Sequence, residues 1–145
     1  VSAALQGYAD RGVFRGFRAA AGSRGRMEYQ FLWLTRRPTR AVFDPRRNTL
    51  SFPALFPGIT AAADLRSIVA ARSARRQPRH KRIDARRARL SSRMRAGDFS
   101  LTVEIRGRHA GYAVSQALNV INELHLALHE ARPEYLIERF GVSAE

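Results

Sequence analysis

The sequence predicts an α+β fold: a two-layer sandwich in which an antiparallel sheet, a meander plus a hairpin, is covered by helices over about 61–76 and 111–131. Three observations lead there. Strand-like alternation clusters in residues 13–52 and again in 88–106. A helical pattern follows each cluster. The aromatic stripe Tyr29, Phe31 and Trp33, with Phe43 and Phe52 on neighbouring strands, is the apolar surface those helices need to cover.

The elements follow in order. Residues 2–10 read as a short helix with Ser2 as its N-cap, ended by Arg11 and Gly12. Residues 13–20 and 26–34 read as strands around the turn "AGSRG". In the second, Met27, Tyr29, Phe31 and Trp33 share a face, while Leu32 and Leu34 predict an end buried on both sides. Residues 41–52 predict a hairpin: Asp44 before Pro45 suits a turn, and Asn48 tolerates the left-handed conformation that closes one. "PALFPGI" (53–59) predicts a proline-bounded loop.

Thr60 is the expected cap of the 61–76 helix, whose inward face is Leu65, Ile68, Val69 and Arg72, and Pro78 stops it. Residues 88–94 alternate again, with Arg89, Arg93 and Arg95 pointing away from Ala88, Leu90 and Met94. "AGD" (96–98) is a turn. "FSLTVEIR" (99–106) is the clearest strand, with Phe99, Leu101, Val103 and Ile105 inward. The 111–131 helix carries the stripe Val114, Leu118, Ile121, Leu124 or His125, and Leu128, opposite Gln116, Asn119 and Glu123. Pro133 opens a last short helix and Gly141 closes it.

This order of a short helix, a meander, a helix, a hairpin and a long helix resembles the fold of type III secretion chaperones and related bacterial proteins. The likeness spans most of the chain as element order. It implies a small bacterial domain that works by binding protein partners, often as a dimer.

A length of 145 residues suits one domain, 1–145, with an exposed basic connector over about 76–86. Cysteine is absent, which excludes disulfides, thiolate metal sites and cysteine nucleophiles. No apolar run reaches the ~18–20 residues of a membrane span, and the first residues carry no signal-peptide pattern, so the cytoplasm is the expected compartment. The net charge of +14 favours acidic partners. It is unevenly spread: residues 66–95 carry +11 and residues 96–145 carry −3. Of the 26 basic residues only Lys81 is lysine.

Catalytic signatures are missing: there is no GxSxG, Walker loop or GxGxxG after a strand, and an enzyme is not predicted. The acids Asp10, Asp44 and Asp98 fall in turns, and Asp84 among arginines reads as an ion-pair partner rather than a proton donor. "GSRGR" (22–26) has the glycines of an anion-holding loop, but hairpin loops share that composition. His125 and His129 stand four apart on a helix; zinc needs three or four ligands, and neither Glu123 nor Glu130 completes a set. No metal, cofactor or small-molecule ligand is therefore implied.

The basic run from Arg72 to Arg95 remains. Arg75, Arg76, Arg79, Lys81, Arg82, Arg86, Arg87 and Arg89 are the candidate anion or nucleic-acid patch, able to neutralise phosphates with little sequence selectivity. Without interleaved large apolar residues the run does not suit a membrane surface. The reading preferred is a non-enzymatic binding domain for a protein partner or a second copy. The alternative is polyanion binding through the basic run.

Overall fold

In the computed structural model, which describes residues 1–60, 62–73 and 82–141, the period-two segments join in one sheet. Its strands are β1 (Arg15–Ala21), β2 (Met27–Leu32), β3 (Thr39–Asp44), β4 (Thr49–Phe56), β5 (Ala88–Arg95) and β6 (Asp98–Ile105). Their order is β1-β2-β3-β4-β6-β5, and every neighbouring pair is antiparallel. The hairpin β5–β6 thus docks by its second strand, which leaves β5 at one edge and β1 at the other. Helices α1 (Ser2–Asp10), α2 (Ala63–Ala71), α3 (Ala110–Ala131) and α4 (Pro133–Phe140) are the α-helical elements of the described residues. This is the predicted α+β sandwich.

Alternation sorts the side chains. Tyr29, Phe31, Leu50, Phe52, Phe99, Leu101 and Val103 lie within 1% of full burial beneath the helices. Trp33 and Phe43 are only half-buried, at the border of the same cluster. The stripe of α3 is wider than the sequence pattern, adding Ala113, Ala117 and Val120, because α3 packs against α1, α2 and α4 as well as the sheet. Two polar ties fix this layer: Arg72, the C-cap of α2, meets Glu123 of α3 at 2.7 Å, and Arg132 donates to Thr60 O and to Asp64.

Several local expectations change. Val1, not Ser2, is the N-cap of α1; the Ser2 hydroxyl instead hydrogen-bonds the buried Tyr29 hydroxyl. Leu34 is 45% exposed, because β2 ends at Leu32 and the chain turns with Leu34 at φ 66°. Helix α2 starts at Ala63 behind Ala62, so Thr60 is not its cap; its predicted end at 76 falls among residues 74–81, outside the described ones.

The largest change is at "PALFPGI". Residues 53–56 are strand, not loop. Proline has no N–H for a ladder and survives in strands at bulges, and the β4–β6 register does shift between Phe52 and Phe56. Ala54 sits in this bulge at φ 47°, its N–H donating to Ser100 Oγ at 3.0 Å. A left-handed conformation strains any residue with a Cβ. Ala54→Gly is therefore expected to raise stability by up to about 1 kcal/mol, seen as a higher urea midpoint at unchanged slope.

Candidate functional site

Among the described residues the helices cover only one face of the sheet. On the other face the register sets Arg18, Gln30 and Arg40 in one row, and Glu28, Val42, Ser51, Thr102 and Ser91 in the next. Asp44, Thr49, Glu104 and Arg89 form a third row, with Arg93 opposite Ser100 and Arg95 opposite Asp98. No aromatic ring stands among these positions.

The two halves of this open face differ in charge balance. On the β1–β4 side, Arg40 pairs with Glu28, Arg26 lies 3.6 Å from Asp44, and Arg18 donates to Gln30 at 3.0 Å. A cleft of about 430 Å³ there is lined by both signs. On the β5 side, Arg89, Arg93 and Arg95 are exposed, and none enters an ion pair among the described residues. Glu104, opposite Arg89, pairs with Arg106 at 3.4 Å, and Asp98, opposite Arg95, accepts the Gly58 N–H at 2.9 Å. The nearest acids are thus already engaged.

The predicted patch is divided. Arg75, Arg76, Arg79 and Lys81 lie outside the described residues. Arg82 is half-buried, and Arg86 and Arg89 are exposed. Arg87 is held locally, 3.4 Å from Asp84 and over the Tyr112 ring at 5.1 Å. Asp84 is an ion-pair partner, as its arginine neighbours suggested, and its Oδ1 also accepts the Arg86 N–H. A cleft of about 740 Å³ beside this turn is bordered by Arg82, Asp84, Arg86, Arg89 and Arg106. The connector is exposed at residues 85–87 but not at Ile83, which is buried and donates its N–H to Arg72 O. Its isoleucine finds the core, and the Asp84 N–H is satisfied by Tyr112 Oη at 2.7 Å.

The other candidates resolve as structure. "GSRGR" closes the β1–β2 hairpin, with Gly22 N–H bonded to Arg26 O and Arg24 and Gly25 at positive φ. His125 is buried, with Phe56 and Phe140 rings edge-on at 5.0 and 5.8 Å. Burial, and then the charge of exposed His129, lower its pKa to about 4. At neutral pH it is an uncharged ring with Nδ1 unpaired. Among the described residues no three His, Asp or Glu side chains gather as a metal set. Burial pushes the Tyr135 hydroxyl up to about 12 against the pull of Arg139, consistent with its donation to Pro57 O at 2.6 Å. Among the described residues no helix is long and apolar enough to cross a membrane.

Arg93 and Arg95 were visible as outward positions but do not belong to the predicted patch. What makes them part of a site is the edge position of β5, which the local pattern does not encode. The fold and this face define an open-faced α+β sandwich with one arginine-rich margin. Comparison with protein families, with curated proteins and with solved structures gives no match for the chain.

Proposed function

We propose that the protein is a small non-enzymatic binding domain that engages an acidic protein partner through the β5 side of its open sheet face. Its role on this reading is adaptor- or chaperone-like, as the order of its elements suggested, and its compartment is the cytoplasm. The observation that carries the reading is the row Arg89, Arg93 and Arg95, exposed and without acidic partners among the described residues. Exposed guanidiniums on a rigid strand stay charged and present bidentate donors matched to carboxylates. Such a row speeds encounter and selects partners by sign more than it adds raw affinity.

Polyanion binding through the same region is the second reading, favoured by the +11 charge of residues 66–95. Against it, the open face offers, among the described residues, no ring on which bases could stack, and α2 and α3 lie on the opposite face. Replacing Arg89, Arg93 and Arg95 together by glutamine is expected to weaken binding of a poly-glutamate peptide about tenfold at moderate salt. The melting temperature should stay within a few degrees, because all three are exposed. Fluorescence anisotropy with this peptide and with a single-stranded oligonucleotide decides between the readings. Tighter oligonucleotide binding, with a steep loss in salt, favours the second. Equal peptide binding by the triple variant overturns the first.

A further inference from the structure

Resting on that reading, we infer that the partner enters as an extended strand added to the free edge of β5, carrying acidic residues on alternate positions and small apolar residues between them. The backbone supplies the first argument. Arg106 N–H bonds Arg87 O, and Ile105 N–H bonds Asn48 O. In an antiparallel ladder bonded pairs alternate, so in the β5–β6 register Arg89, Ser91, Arg93 and Arg95 turn their N–H and C=O towards β6. Ala88, Leu90, Ser92 and Met94 turn theirs outward. Ala88 N–H is taken by Asp84 O at 3.1 Å. Leu90, Ser92 and Met94 keep outward donors without a partner among the described residues.

The two edges are not equivalent. The β1 register breaks between Arg15 and Arg18, with Gly16 at φ 61°. Such a bulge spoils a pairing template. The β5 register is unbroken over all eight residues, Ala88 to Arg95.

Side chains specify the occupant. A strand laid about 4.8 Å outside β5 sends alternate side chains to opposite faces. On the open face they meet Arg89, Arg93 and Arg95, spaced for carboxylates. On the helical face they enter a groove of about 460 Å³ between β5 and α2, whose lining includes Arg66 and Ser67 as well as Ala63, Val69, Ala70 and Leu90. The apolar part of that lining, Ala63, Val69, Ala70 and Leu90, suits alanine or valine. A second copy is disfavoured: antiparallel β5–β5 pairing would set one arginine row against the other, and like charges across a pair repel. A nucleic acid has no backbone N–H and C=O ladder to offer the edge.

The test uses the full chain and two synthetic peptides of one composition. One alternates glutamate with alanine and valine; the other groups its glutamates at one end. The alternating peptide is expected to bind about tenfold tighter and to slow hydrogen exchange at the Leu90, Ser92 and Met94 amides. Ser92→Pro removes the central outward donor without touching the bonds to β6, and should cancel that preference while leaving the grouped peptide's affinity unchanged. Should this variant fold poorly, the exchange experiment on the unaltered chain stands alone. Equal binding of both peptides with no protection at these amides overturns strand addition, yet leaves the basic-face reading intact if the triple glutamine variant still binds more weakly. Protection that grows with protein concentration and no peptide overturns it in favour of a second copy.

Discussion

Replacing Phe56 with alanine is expected to remove about 3–5 kcal/mol of stability, the largest loss foreseen for a single side chain here. The ring is fully buried on β4 just past the bulge. Its neighbours are Phe99 of β6 at 5.8 Å, His125 of α3 at 5.0 Å and Phe140 of α4 at 6.0 Å between centroids. It is thus where the sheet, the long helix and the terminal helix meet. Truncation leaves a cavity with walls on three elements, none free to collapse into it. Phe43, half-buried at the margin, should cost clearly less when truncated in the same way. Urea unfolding of both variants checks the contrast: a large fall in midpoint for Phe56→Ala, a smaller one for Phe43→Ala. Equal losses would show that the junction is not the most tightly packed point.

The second large effect is acid destabilisation through His125. Its pKa is lowered from 6.5 to about 4 in the folded protein, first by burial and then by His129. The unfolded chain therefore binds a proton here between about pH 6.5 and 4 that the folded chain refuses. Stability is full above pH 6.5, falls as pH drops through that window, and stops falling from this cause below about 4. The total is about 3 kcal/mol, with a slope of at most ~1.4 kcal/mol per pH unit. His125→Leu should flatten this part of the profile. At neutral pH it should cost little, since the buried Nδ1 it removes has no partner. The difference between the two proteins' stability profiles over that range is the measurement. Parallel profiles would show that the ring is open to water.

Much of the architecture was legible because its signals are local. The alternation of Phe99, Leu101, Val103 and Ile105 defines β6, and Pro133 with Gly141, at φ 64°, brackets α4. Asn48 adopts φ 53°, as its turn required, and its side chain also donates to Ile105 O at 2.7 Å. Errors arose where a tertiary contact overrode a local rule. Pro53 looked like a strand terminator, but a bulge accommodates it. Leu34 looked like core, but β2 ends at Leu32 and the chain bends away before it. For the site, outward Arg89, Arg93 and Arg95 follow from period two alone. That they line a free edge follows from β6 inserting between β4 and β5, a long-range pairing without a local signature.

The one-sided covering of the sheet also gives the molecule an electrical direction. Exposed Glu130, Glu134 and Glu138 belong to the helical layer, while exposed Arg89, Arg93 and Arg95 stand on the opposite face. Opposite charges so placed contribute a dipole across the sandwich. In the field of an approaching acidic surface such a body feels a torque as well as an attraction, and turns its arginine margin forward before contact. The orientational search that slows most protein encounters is then partly completed in solution, over distances of about one Debye length, 8–10 Å at ordinary salt.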